Sequence, residues 1–230
     1  MRQAQKRRRL SKEIRYAELL EAAGAVFREK GYHDASTLEI AERAKVVEGT
    51  LFRYFPTKRD LLNKVVEAAY EKAIADYDVH LQGVSGTWNR LRYLIWRHLK
   101  TIKDDPQLSK LLAYEVKVDP NFRKSRIFEL NRVYTQRTVE IIQGAIRSGE
   151  FKTDIPLSII RDMIYGCVDH HTWSYVRGEG KFDPGQVADH ITNLICRGLA
   201  VPAPVQSDVS LNGIVKRLDR IEKLVTSPGV

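Results

Sequence analysis

The chain is poor in the features that most often organise a fold from outside its core. Its 230 residues include only two cysteines, Cys167 and Cys196, far apart and without a CxxC partner. That spacing suits reduced core thiols of a cytoplasmic protein, not a disulfide framework. Long apolar runs are missing, so a membrane span of about 20 residues is excluded. The basic first residues lead into no apolar segment, which argues against a secretory signal. Strand-type alternation is almost absent, no 20–50-residue repeat occurs, and no tract is of low complexity. Nucleophile elbow, P-loop and dinucleotide fingerprint are all lacking, so an enzyme is not expected.

Charge, in contrast, is plentiful and uneven. The formal net charge is +9, with 29% charged and 43% hydrophobic residues, enough for a sizeable core. A basic excess of this size points to a polyanionic partner. Residues 1–60 carry 14 Lys/Arg against 9 Asp/Glu, and the first twelve hold Arg2, Lys6, Arg7, Arg8, Arg9 and Lys12 with no acid. Such an arm is either a nucleic-acid contact or a solvated tail.

Helical periodicity fills the rest. A first helix fits Lys12 to about Lys30, with Ile14, Ala17, Leu20, Ala23, Gly24 and Phe27 on one face, Ser11 as N-cap and Gly31 as stop. A second fits Thr37 to Ala44, with Ser36 and Glu39 as a capping box. A third runs from about Val47 to Phe55. A fourth starts after Thr57, where Thr57 and Asp60 resemble a second box, and continues to about His80. Asp105-Pro106, Asp119-Pro120 and Asp183-Pro184 each read as an N-cap followed by proline at the first helical position. "RSGEF" (Arg147–Phe151) is a helix end and "VPAPV" (Val201–Val205) a stiff linker. Beyond it Leu211, Ile214, Leu218, Ile221 and Val225 recur at 3-4-3-4 spacing. This is a coiled-coil-like seam, or a helix packed on its own subunit.

Two helices of about eight residues are marginal alone. Here they follow a longer one and flank the tight turn "AKVVEG", which is the helix-turn-helix pattern. Ile40, Ala41, Ala44, Val46, Leu51 and Phe55 would pack inward, the aromatics serving the core. Lys45, Glu48, Gly49, Thr50, Arg53 and Tyr54 would stay on the exposed side. A short helix fits the major groove of double-stranded DNA and meets base edges with its polar residues. Gly49 lets backbone come close, Thr50 can bond phosphate or base, and Arg53 can fork onto guanine. Tyr54 and Lys58 suit phosphate, the latter at a helix N-terminus beyond the break at Pro56. The same spacing also fits a plain bundle segment with ordinary surface polarity.

The stretch "AGAVFREKGYHDASTLEIAERAKVVEGTLFRYFPTKRDLL" resembles the N-terminal DNA-binding domain of TetR-family repressors. The resemblance lies in Phe-x-x-x-Gly-Tyr, then Ile-Ala-x-x-Ala, then Gly-Thr-Leu-Phe-x-Tyr-Phe-x-x-Lys-x-x-Leu. It implies that Thr37 begins the helix touching the DNA backbone, that Glu48, Gly49, Thr50 and Arg53 sit in the groove, and that Tyr54 and Lys58 meet phosphates. It also implies an all-helical, ligand-binding, dimerising remainder. Three positions depart from the pattern. Lys45 stands where a turn glycine is usual, at a cost of about 1 kcal/mol for positive φ. Val47 replaces the usual capping serine, also about 1 kcal/mol. Glu48 replaces a basic or polar residue; it opposes phosphate but can accept from cytosine N4.

Asp169, His170 and His171, with Glu179, Asp189 and His190 later, could be read as metal ligands. Adjacent histidines on a helix point about 100° apart, so His170 and His171 cannot serve one simple site, and no metal is expected. In the TetR family the last two long helices form a four-helix bundle with their twofold mates. Here those would be about Pro156–Arg177 and Pro184–Leu199, whose apolar Ile160, Ile164, Cys167, Val187, Ile191, Leu194 and Ile195 outnumber what one side needs. Gly166 would permit close helix approach.

"LAYEVKVDPNFRKSRIFELNRVYTQRTVEIIQGAIRSGEF" followed by "MIYGCVDH" is similar to the fatty-acid-metabolism repressors of the family, which sense long-chain acyl-CoA. A cavity within residues 88–180 would be lined by Leu99, Ile102, Leu112, Val116, Phe122, Ile127, Tyr134, Met163 and Trp173. Lys117, Arg123, Lys124 and Arg126 would lie near its mouth, to meet a phosphorylated head group such as that of coenzyme A.

The combined expectation is an all-α cytoplasmic homodimer with a small-molecule inducer and no cofactor. Its parts are a basic arm (1–12), a three-helix helix-turn-helix domain (13–57), a helical ligand-binding and dimerisation domain (58–200), and a linker with a C-terminal helix (201–230). The function expected is a ligand-responsive repressor of a palindromic operator. The alternatives are a helical carrier or enzyme with an incidental basic N-terminus, and a non-specific nucleoid protein.

Overall fold

The computed structural model describes residues 2–152, 154–202 and 215–221. Nine α-helices organise the described residues of 2–202: α1 (Arg2–Asp34), α2 (Thr37–Arg43), α3 (Glu48–Tyr54), α4 (Lys58–His80), α5 (Thr87–Asp104), α6 (Pro106–Leu111), α7 (Arg126–Arg147), α8 (Leu157–Val176) and α9 (Pro184–Leu199), and residues 215–221 are helical as well. A π-helical turn, Leu112–Val116, extends α6. One isolated antiparallel bridge, Phe151 with Ala200, is the sole β pairing among the described residues.

The first helix begins earlier than its sequence suggests. Ser11 lies inside α1 instead of capping it, because Arg, Gln, Ala and Lys before it are good helix formers. Gly31 interrupts the helix at φ +78°, a conformation that favours glycine. The buried face of α1 is Leu19, Ala22, Ala23, Val26 and Phe27, while Ile14 and Ala17 are exposed. Ser36 caps α2 by accepting from the Leu38 amide. The reciprocal half of the box is not made, since the Glu39 carboxylate instead accepts from Lys30 at 2.7 Å. Thr57 caps α4 through the Asp60 amide. Asp105 and Asp183 cap α6 and α9, each followed by proline. Asp119 does not cap a helix. Its carboxylate closes a local turn on the Asn121 amide, and Ser125 caps α7 in its place.

Two hydrophobic cores result. One joins α1, α2, α3 and the first half of α4 through Phe27, Ile40, Leu51, Phe55, Leu61, Leu62 and Val66, and takes in Leu111, Val116 and Ile127. The other joins the end of α4 to α5, α7, α8 and α9 through Tyr77, Leu91, Leu99, Tyr134, Ile142, Ile164 and Ile195. Leu218 and Ile221 of the proposed C-terminal seam are exposed. Leu211, Ile214 and Val225, and the linker from residue 203 on, lie outside the described residues.

The turn between α2 and α3 carries its cost openly. Lys45 adopts φ +55°, the left-handed value its position demands, and Val47 gives α3 no side-chain cap. Lys45→Gly should therefore raise folding stability by up to about 1 kcal/mol, the relief of strain exceeding the extra freedom of the unfolded chain. Urea unfolding of the two proteins checks this; a loss of stability would show that the lysine side chain holds the turn.

Candidate nucleic-acid interface and ligand cavity

Helix α3 projects from the first core on Leu51 and Phe55, which leaves Lys45, Gly49 and Arg53 exposed. A Cβ added at Gly49 would meet nothing within 4 Å, so backbone is open to a partner there. Three expected contacts are less free. Glu48 is half-buried, and its carboxylate accepts from the Thr37 hydroxyl at 2.5 Å, tying the start of α3 to the start of α2. Thr50 is half-buried as well. Tyr54 packs against Tyr16, with ring centroids 6.4 Å apart, instead of standing clear. Phe52, in contrast, is 41% exposed and not a core residue.

Lys58 begins α4, but its ammonium turns back. It donates to the His33 carbonyl at 3.1 Å and lies 4.8 Å from the centre of the Tyr32 ring. Arg59 covers the same ring at 4.4 Å and donates to the Glu115 carbonyl at 3.0 Å. The Glu115 carboxylate lies 3.2 Å from His33 Nε2. Nearby, Arg28 of α1 pairs at 2.7 Å with Asp105, the cap of α6. The reading head is thus clasped to α6 and its π-turn.

The other face of that π-turn lines a cavity. Its volume is about 520 Å³, within the range of small-molecule sites. Val66, Ala69 and Ala73 of α4, Ile102, Leu108, Leu112, Ala113, Phe128 and Val176 supply the apolar wall. Of the residues expected from sequence, Ile102, Leu112, Tyr134 and Trp173 line it. Leu99 does not, being a fully buried contact of the second core. Val116, Phe122 and Ile127 turn to the first core and a groove of about 90 Å³. Met163 sits on the outer surface of α8, 52% exposed.

Four cations border the cavity: Lys117, Arg123, Arg132 and Arg161. Lys124 and Arg126 do not. Lys117 pairs with Asp169 at 3.4 Å and Arg161 with Asp162 at 2.8 Å. Arg123 and Arg132 have no carboxylate partner among the described residues. Trp173, 47% exposed, lies 5.4 Å from Tyr114 between ring centroids, the two rings tilted by 56°.

The cavity floor is polar but uncharged, a feature that apolar periodicity alone did not disclose. The Tyr77 hydroxyl bonds to Tyr134, whose hydroxyl lies 2.9 Å from His98 Nδ1. Thr138 and Tyr165 share a hydrogen bond at 2.9 Å, and Tyr70 donates to Asn131 at 3.1 Å. Burial holds the Tyr77 and Tyr134 phenols well above their ordinary range and pushes Tyr165 up to about 12. Burial likewise pushes His98 down to about 4, against the opposing pull of Asp169. The spacing of Tyr70, Ala73 and Tyr77 on one face of α4 was the available sequence signal. Among the described residues no cluster of His, Cys, Asp or Glu is placed to hold a metal. Asp169 and Asp189 are taken up by Lys117 and Arg92. No helix among the described residues is long and apolar enough to cross a membrane.

A helix-turn-helix head, joined by one helix to a cavity-bearing helical domain, defines a ligand-responsive DNA-binding regulator. Residues 19–65 match the family described as bacterial regulatory proteins, tetR family, and residues 64–198 match the YsiA-like protein C-terminal region. The chain belongs to the tetR family, with a C-terminal domain of the YsiA-like kind. The two matches meet inside α4, some seven residues beyond the boundary expected from sequence. Among relatives, the fatty acid metabolism regulator protein of Bacillus subtilis is 24% identical over 188 residues, covering 82% of this chain and 97% of that protein. The HTH-type transcriptional repressor KstR2 of Mycobacterium tuberculosis is 24% identical over 168 residues, covering 71% and 80% respectively. Among solved structures, FadR from Bacillus subtilis in complex with stearoyl-CoA superposes with a TM-score of 0.71 at 25% identity, covering 80% of this chain and 99% of that one.

The neutral floor has a pH signature. The folded chain holds His98 near 4 against an ordinary 6.5, so between these values the unfolded chain binds the extra proton. Stability from this group is full above pH 6.5 and is lost as pH falls towards 4. The melting temperature should drop across that window, and His98→Phe should make the drop shallower. Equal slopes in both proteins would place the imidazole in water.

Proposed function

We propose that this protein represses transcription as a homodimer on a palindromic operator and releases it when a long-chain acyl-CoA enters the cavity. The observation that carries the ligand is the pairing of an apolar cavity with two guanidiniums, Arg123 and Arg132, that have no carboxylate partner among the described residues. An acyl chain suits the wall, and the phosphates of coenzyme A suit the guanidiniums, which bind phosphate with planar, forked geometry. The relative named for fatty acid metabolism and the neighbour bound to stearoyl-CoA support the same reading.

The dimer reading rests on α8 and α9. Ile160, Ile164, Ile191 and Ile195 are buried within the chain, but Ile159, Met163 and Leu194 remain exposed on the same two helices. Gly166 and Cys167 are exposed beside them, and a Cβ at Gly166 would meet nothing within 4 Å. A second copy related by a twofold axis covers such a face and sets two reading heads on two half-sites.

On DNA, Arg53 would read bases, while Lys45, Tyr54 and Lys58 would meet phosphates near Gly49 and Thr50. Lys58→Ala should weaken binding to operator and random DNA alike and reduce the salt slope by about one. Arg53→Ala should cost about 1–3 kcal/mol on the operator and little on random DNA. Gel shifts at several salt concentrations separate the two; an unchanged salt slope for Lys58→Ala would remove its phosphate role. Equal, salt-sensitive binding of every sequence by the unaltered protein would favour a nucleoid protein.

Ligand choice is checked with acyl-CoAs of increasing chain length, free fatty acids and aromatic drugs. A long-chain acyl-CoA should raise the melting temperature and release operator DNA. If it did neither, the acyl-CoA assignment would fall and the DNA-binding assignment would stand.

A further inference from the structure

Two groups that line the cavity, His98 and Tyr134, and the buried Tyr77 behind them form a chain whose proton directions follow from counting donors. Tyr77 is 1% exposed, and among the described residues its hydroxyl meets one acceptor, the Tyr134 hydroxyl. A buried hydroxyl proton without an acceptor is strongly disfavoured, so Tyr77 donates to Tyr134. Tyr134 has a single proton of its own, and its other partner is His98 Nδ1 at 2.9 Å. That proton therefore goes to Nδ1. A neutral imidazole accepting at Nδ1 carries its hydrogen on Nε2.

The ring is held in place by Tyr165, edge-on at 5.2 Å, and by Tyr134 at 5.6 Å. His98 lines the cavity, and no described residue hydrogen-bonds its Nε2. The cavity thus contains a donor with fixed direction, supplied by a side chain that carries no charge to attract phosphate. His98 shares the cavity wall with the ion pair of Lys117 and Asp169. In an acyl-CoA, the first polar atom past the head group on the way into an apolar cavity is the thioester oxygen.

We propose that His98 Nε2–H donates a hydrogen bond to the thioester carbonyl oxygen of the bound acyl-CoA, making His98 a specificity residue for acyl thioesters over alkyl chains. This rests on the acyl-CoA reading above. It adds a recognition point that the apolar wall and the arginines do not supply, since both would accept an S-alkyl-CoA equally well.

The test compares palmitoyl-CoA with S-hexadecyl-CoA, in which a methylene replaces the carbonyl. Both are titrated calorimetrically into the full chain below their micelle concentrations. The unaltered protein should bind the thioester roughly tenfold more tightly, the ratio expected of one hydrogen bond shielded from water. In His98→Phe the ratio should fall to about one; the variant also takes away the acceptor of the Tyr134 proton, a loss common to both ligands, so the ratio and not either affinity is the readout. His98→Gln, which restores an N–H donor, should recover part of the preference. A ratio near one in the unaltered protein, or a preference that survives in His98→Phe, overturns the role of His98 while leaving the acyl-CoA reading intact. Failure of both compounds to bind the unaltered protein overturns the two together. Should His98→Phe not fold, nitrogen-15 NMR of His98 in the unaltered chain decides. A proton on Nε2 whose resonance moves with palmitoyl-CoA and not with the thioether supports the proposal, and a proton on Nδ1 overturns it.

Discussion

Helix α4 is buried in two cores at once. Its first turns place Leu61, Leu62, Val65 and Val66 against the reading head, and its last turns place Tyr77 among the long helices of the second domain. Between them, Ala69, Tyr70 and Ala73 face the cavity. A rigid helix cannot bend to suit one core without moving its side chains in the other, because packed interiors deform in discrete steps. A ligand filling the cavity would press on the helix that packs against α1, α2 and α3. A second tie runs in parallel. Glu115 holds Arg59 and His33 from one side of the π-turn, while Leu112, Ala113 and Tyr114 of the same turn line the cavity. π-turns of this sort interrupt the regular ladder and are common where a helix serves function.

Polarity in the cavity is sorted by depth. Charged groups lie at the rim, where water still solvates them and where Arg123 and Arg132 can meet a phosphate. Deeper in are phenols, a threonine hydroxyl, an amide and an imidazole, and burial favours the neutral form of the groups among them that titrate. A charge at that depth would be costly without a partner, whereas neutral groups that satisfy one another are not. The same arrangement gives direction, since a chain of neutral donors and acceptors can end in one free donor only.

Much of the reading head was legible in the sequence because its signals are local. Ser36, Thr57, Gly31 and the turn at Lys45 act through backbone geometry a few residues away, and each lies where its chemistry required. Longer-range partners were not legible: the Glu39 carboxylate is drawn to Lys30, which leaves the capping box half made, Glu48 meets Thr37, and Lys58 reaches the His33 carbonyl. The cavity was less legible. Apolar periodicity tells which face of a helix is buried, not whether it meets protein or a void. Leu99, Val116, Phe122 and Ile127 are apolar and inward-facing yet meet other core residues, and Met163 faces outward on α8. His98, Tyr70, Tyr165 and Arg132 were missed because polar residues on helices are ordinarily read as surface. Only the packing of α4, α5, α7 and α8 brings them to one space.

The central claim is that cavity and reading head share one equilibrium. Binding at one must then alter affinity at the other by a single factor, whichever is measured. The direct measurement is calorimetric titration of palmitoyl-CoA into the free protein and into its complex with an operator selected from random DNA. The account predicts weaker palmitoyl-CoA binding in the complex, by the same factor by which palmitoyl-CoA weakens the operator. Equal affinity in the two titrations would contradict it.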